Sequence, residues 1–146
     1  YGDIIALNQG GGSDMIKILS ATLSVMMLIP VVDLAAATTT YKHPTISMKA
    51  GNRAGLQNVF AWDEKCRTVP VDIKAYRPKL GLVYLYKERF KIPGSQSREC
   101  SGRVVDGYKV VFKADKNAKG TTLVEYQIRS KNVDRLFKFR RTLQIK

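Results

Sequence analysis

"GYKVVFKADKNAKGTTLVEYQIRS", residues 107–130, is the stretch on which the fold turns. "GYKVVFKA" (107–114) and "TLVEYQIRS" (122–130) are short runs rich in β-branched and aromatic residues, with apolar and polar positions alternating. That period suits a strand with one buried face and not a helix. Between them "DKNAKG" (115–120) is a dense turn signal, made of residues that favour turns for their own backbone reasons.

Working outward, the same signature recurs. "TISMK" (45–49), "LQNVFAW" (56–62), "VPVDIKAY" (69–76) and "LVYLYKERFKI" (82–92) read as strands, the last either one bent strand or a tight pair. "LFKFRRTLQI" (136–145) closes the series. "AGNRAG" (50–55), "RPKLG" (77–81) and "PGSQSRECSG" (93–102) are turns or loops. Within 69–76, Val69, Val71, Ile73 and Ala75 share one face, and Asp72 and Lys74 the other. Seven or eight short strands with turns every 8 to 12 residues predict an all-β, antiparallel β-sandwich over 38–146. No repeat, low-complexity tract or second domain interrupts it.

The segment before it is of another kind. "MIKILSATLSVMMLIPVVDLAAA" (15–37) has a basic start at Lys17, an apolar run from Ile18 to Val32, and small residues at Ala35–Ala37. That order is the secretory signal pattern, with cleavage placed before Thr38. The run falls short of a spanning helix, and Pro30 and Asp33 weigh further against one. The alternatives are an uncleaved N-terminal anchor and a buried helix. Residues 1–14 ("YGDIIALNQGGGSD") fit no signal architecture; they read as a non-native or disordered extension ahead of a start at Met15. The reading is therefore a signal-peptide helix followed by one periplasmic or extracellular domain.

Charge and cysteines follow from that division. The chain carries a formal net charge of +13. Removing 1–37 takes away Asp3, Asp14, Asp33 and Lys17, leaving 24 bases and nine acids, or +15. Cys66 and Cys100 are the two cysteines. In an oxidising compartment two cysteines imply one disulfide; in a reducing one they would be buried thiols. Neither lies in a C-x-x-C motif, which argues against thiol-exchange catalysis.

Several residues then look familiar. "PKLGLV", with Pro78, Gly81 and Val83, resembles the strand-entry motif of bacterial cadherin-like and immunoglobulin-like sandwich modules. "FKADKNAKGTTLVEYQI" resembles their closing hairpin: Gly120, Tyr126 and Ile128 match, Phe112 stands where Tyr is usual, and Ala114, Thr122 and Val124 depart from the pattern. "WDEKC" paired with a later "CSG" is similar to small exported proteobacterial proteins. The resemblance implies an immunoglobulin-like sandwich over about residues 44–129. It also implies Gly81 and Gly120 at tight approaches, and Tyr126 packed inside with its hydroxyl on a backbone partner. Calcium does not carry over, because nine scattered carboxylates form no ligand cluster.

Reactive constellations are scarce. His43 is the one histidine and sits in a "YKHP" entry that reads as flexible and solvated. No G-x-S-x-G, P-loop or H-E-x-x-H occurs. Asp63 and Glu64 are neighbours beside Lys65 and Arg67, which suits surface pairing, and Trp62 beside a cysteine suits core packing better than ligand stacking. The expectation is a non-enzyme with no cofactor and no metal.

The basic C-terminal stretch carries the functional content. Residues 129–146 hold seven bases against one acid. Arg129, Lys131, Arg135, Lys138, Arg140 and Arg141 are the candidate polyanion-binding set, with Lys138 and Arg140 on one strand face and Arg141 sharing the other with Phe137 and Phe139. Basic residues interleaved with aromatics suit a phosphate-rich or acidic polymer; they also suit plain solubility and the guarding of an edge strand. The expectation is a binding or structural module of the cell envelope that recognises a protein partner; the alternative is a binder of an anionic polymer such as lipopolysaccharide, acidic glycan or nucleic acid through the basic C-terminal strand. Membrane contact is expected only through an uncleaved leader.

Overall fold

The computed structural model describes residues 3–8, 37–130 and 135–146. The signal reading of 15–37 lies outside them, apart from Ala37. Eight strands occur among these residues and no helix. They are β1 (Asp3–Asn8), β2 (Ala37–Met48), β3 (Arg53–Trp62), β4 (Val71–Ala75), β5 (Gly81–Lys91), β6 (Val104–Ala114), β7 (Gly120–Ser130) and β8 (Arg135–Ile145). β1 falls within the stretch read as an extension; its backbone runs parallel to β3. One sheet has the order β1-β3-β6-β5 and the other β2-β8-β7-β4.

The alternation read from 122–130 holds through β7, and in β6 it sets the inward face, although Gly107 and Val111 on the other face are buried as well. Val110, Phe112 and Ala114 of β6 and Val124, Tyr126 and Ile128 of β7 are all buried in one core. Leu56 and Val59 of β3 join them from the first sheet, and Phe139, Leu143 and Ile145 of β8 from the second. Two faces that each present every second residue inward make this a two-layer sandwich. Each fully buried large side chain contributes about 1.5–3 kcal/mol.

The closing hairpin that the resemblance implies over 112–128 does not form. β6 pairs with β3 and β5, whereas β7 pairs with β8 and β4, so the 115–119 turn carries the chain from one sheet to the other. Alternation specifies which face of a strand is apolar, and a crossing turn satisfies it as well as a hairpin does. Gly120, at φ 113°, makes the entry to β7 in a conformation that only glycine adopts without strain.

Nor is the pairing wholly antiparallel: β2 runs parallel to β8, and β1 to β3. Parallel partners need a long connection, which the whole intervening domain supplies between β2 and β8. The "YKHP" entry is no flexible tail. It lies within β2, where His43 is half-buried and its ring stacks 5.9 Å from that of Phe139. Pro44 sits where the register shifts between His43 and Ile46, as expected of a residue without an N–H on an edge strand.

The 82–92 run is one continuous strand, β5. Gly81 at its start is a close approach: a Cβ there would meet the Phe112 ring at 2.7 Å as well as the Lys113 carbonyl. Trp62 is buried, in a second cluster with Phe60, Ile92, Cys100 and Val105, against which Cys66 and Phe90 pack. In the register Phe60 lies opposite Gly107 and Phe90 opposite Val105. These positions alternate with Val110 and Phe112, so the cluster covers the outer side of the first sheet.

The Cys66–Cys100 disulfide, with a Cα separation of 5.3 Å, closes this cluster. It ties the β3–β4 connection to the β5–β6 loop and does not join the two facing sheets. Asp63 shapes the turn before it: Oδ1 accepts from the Lys65 and Arg67 amides, both at 2.9 Å, and Oδ2 pairs with the Arg67 guanidinium. The Arg67 amide and then its side chain hold the Asp63 carboxyl below its ordinary value.

The Phe60 and Phe90 rings stack 5.0 Å apart above Gly107, where a Cβ would lie 2.7 Å from Phe60 Cβ and 2.9 Å from Phe90 Cδ2. Gly107→Ala is therefore expected to cost about 1–3 kcal/mol by overpacking, read as a lower urea midpoint at unchanged m-value.

Candidate functional site

The outer face of the β2-β8-β7-β4 sheet gathers the basic side chains into rows. The register places Lys42 beside Arg140 and Arg140 beside Glu125, with the Tyr76 amide bonded to the Glu125 carbonyl at 3.0 Å. The next row runs Thr40, Lys138, Gln127 and Lys74. A third runs Thr38, Leu136, Arg129 and Asp72. Neighbours in a row are about 4.8 Å apart at the backbone, and successive rows about 6.5–7 Å. Five bases thus share one face with two carboxylates.

Two shallow grooves cross this face. One, of about 340 Å³, is lined in part by Thr40, Tyr76, Glu125, Gln127, Lys138 and Arg140. The other, of about 270 Å³, is lined by Asp72, Lys74, Gln127, Arg129 and Leu136. Gln127 belongs to both, so the grooves adjoin. Tyr76 offers an exposed ring, with Lys74 Nζ 5.8 Å from its centroid. Among the described residues, Arg140 is the base of this face held in an ion pair, at 2.6 Å from Glu125.

Of the six candidates read from the sequence, Arg129, Lys138 and Arg140 come together here. Arg135 begins β8, and Lys131 lies outside the described residues. Arg141 must be withdrawn from the surface set. It points between the sheets at 7% exposure, and its Nη1 donates to the Leu56 carbonyl at 3.1 Å. The ladder shows why. The β3–β6 register shifts between Gly55 and Gln57, so Leu56 is the bulged residue, unpaired with β6, and its carbonyl accepts from Arg141. A guanidinium reaching across the sandwich satisfies it.

Next to it, the buried Tyr126 stacks on Phe139, 5.3 Å between centroids, and its hydroxyl donates to the Gln57 side chain. That hydroxyl thus reaches an amide side chain from the facing sheet, which the sequence reading did not foresee. Sequence reasoning missed Lys42 on β2, Lys74 on β4 and Tyr76 just after β4, all far from the C-terminal stretch in sequence. The signal present was the outward phase of Lys74 within 69–76.

A separate cleft of about 370 Å³ lies between the 68–71 segment and the β5–β6 pair. One of its polar groups is occupied with the fold: Thr68 Oγ1 accepts from the Asp106 amide at 3.0 Å. Arg89 and Asp106 stand 4.0 Å apart with side chains about three-quarters exposed.

Fold and face together define a disulfide-bonded all-β sandwich domain with one strongly basic sheet surface. No protein-family model matches the chain, and no curated protein sequence matches it. Among solved structures it is similar to a cysteine protease inhibitor, EhICP2, from Entamoeba histolytica, at 12% identity and a TM-score of 0.38, over 75% of this chain and 96% of that one. A likeness at that level carries no argument about function.

Proposed function

We propose that the chain is an exported, non-catalytic binding module of the bacterial envelope, periplasmic or extracellular, that holds an anionic polymer on the outer face of the β2-β8-β7-β4 sheet. The observation that carries this is the gathering of Lys42, Lys74, Arg129, Lys138 and Arg140 from four different strands onto one grooved face. An immunoglobulin-like assignment is supported by the strand order. β5-β6-β3 facing β2-β8-β7-β4 has the D-E-B against G-F-C arrangement of that fold, with β2 added beside the last strand. The disulfide supports export, since such bonds persist in oxidising compartments.

Binding of heparin or a single-stranded oligonucleotide through about five phosphate- or sulfate-like contacts should fall roughly a hundredfold between 50 and 200 mM salt. The pair Lys138→Glu and Arg140→Glu should release the chain from a heparin column at low salt, because it removes two bases and frees Glu125. Retention unchanged by salt or by the double substitution would overturn the reading.

A protein partner is the second reading, favoured by one observation: among the described residues β5 is a long strand paired on one side alone, with Leu82, Leu85 and Tyr86 exposed.

A further inference from the structure

The edges of the two sheets differ in how they are protected. Free strand edges are normally guarded by bulges, proline, short length or charge. β2 has Pro44 and a register break, and β4 is five residues long. β5 runs eleven residues against β6 without a register break. Its second half carries Lys87, Glu88, Arg89 and Lys91.

Its first half, Leu82–Tyr86, has no charge, proline or bulge. Leu82, Leu85 and Tyr86 are 40%, 38% and 37% exposed, and the Tyr84 and Tyr86 rings stack 6.2 Å apart. Five apolar residues in a row on an open edge form a template for a further strand.

We infer that a second copy of this chain occupies that edge: Leu82–Tyr86 pairs antiparallel with its own symmetry mate about a two-fold axis through Tyr84. Opposed residues in such a pair share a face of the sheet, so the axis passes through a residue and not between two. An axis at Tyr84 sets Leu82 opposite Tyr86 and Val83 opposite Leu85. It also sets Lys87 opposite Gly81, which has no side chain to repel or crowd it. An axis at Lys87 or Glu88 would set like charges face to face.

Charge is the chief opposition, since the chain is strongly basic. With the axis at Tyr84 the two charged halves run away from each other. The two Lys87 positions are six residues apart along the strands, roughly 20 Å, which exceeds the screening length of about 8–10 Å at ordinary salt. The product is one continuous sheet of eight strands, within the usual limit for an open sheet of about ten. A five-residue seam is small beside a standard interface, so association should be weak and concentration-dependent.

This inference does not depend on the anion-binding face, and its test uses neither salt nor polyanion. In sedimentation velocity the full chain should move from monomer toward dimer as concentration rises from about 1 µM to several hundred µM, the range of weak association. Leu85→Lys, at an exposed position that leaves the core intact, should hold it monomeric throughout.

Tyr84→Cys should form an interchain disulfide on mild oxidation, because residues at the axis have Cα atoms about 4.5–5.5 Å apart. Lys91→Cys, seven residues from the axis, should form none. A monomer at every concentration, a dimer that survives Leu85→Lys, or equal crosslinking at 84 and 91 would each overturn it.

Discussion

Replacing both Cys66 and Cys100 by serine is expected to cost about 3–4 kcal/mol, the entropy of closing a loop across a sequence separation of 34 residues. Against a total stability of about 5–15 kcal/mol for a domain this size, that is a large share. The loss should be regional first. The bridge holds the β5–β6 loop over Phe60, Trp62, Phe90 and Val105, and without it that loop has few apolar contacts of its own. Hydrogen exchange should accelerate across 92–103 and at Trp62 before it does in β7 and β8, whose core does not touch the disulfide. A urea midpoint unchanged by reduction would show that the second cluster stands without its staple.

Arg141→Glu is expected to be the most damaging single substitution, at about 3–5 kcal/mol, whereas Arg140→Glu next to it should cost less than about 1 kcal/mol. At position 141 the change puts a carboxylate among Leu56, Phe139 and Leu143 and sets it against a carbonyl that had received a guanidinium. Breaking a buried charged contact and leaving an uncompensated charge has that order of cost. Arg140 is exposed, and its pair with Glu125 is a surface one of small worth. The two differ in function in the opposite sense: Arg140→Glu should weaken polyanion binding in a well-folded protein, and Arg141→Glu should do so only through unfolding. Thermal melts beside heparin retention for both variants would separate the roles. Equal melting temperatures would show that Arg141 is not part of the core.

Strand positions were legible because most strands of 37–146 turn alternate residues to the core, and that asymmetry is written in the order of side chains; β3 and β6 depart from it, covered on their outer side as well by the cluster of Phe60, Trp62 and Val105. β3 through β8 lie within a few residues of where the pattern puts them. β2 begins eight residues before Thr45, because its "ATTTYKH" stretch carries little apolar alternation and is held by pairing with β8. The disulfide pairing needed no geometry, since two cysteines admit one partner each. Trp62 and Tyr126 fell inside as their types suggested, yet the partner of the Tyr126 hydroxyl could not be read, because Gln57 reaches it from the opposite sheet.

By itself, then, the sequence determined that residues 38–146 are built of strands, with a basic C-terminal strand and two cysteines free to join. It also determined that Arg140 and Arg141 point to opposite faces, because successive side chains on a strand must. Only the tertiary structure decided which of those faces looks outward, that residues 107–130 cross between sheets, and that Lys42 and Lys74 stand in rows with Lys138 and Arg140. Such facts depend on which strand edges meet. Edge pairing is set by backbone hydrogen bonds between segments far apart in the chain, and those bonds are common to all residue types but proline and leave little trace in the order of side chains.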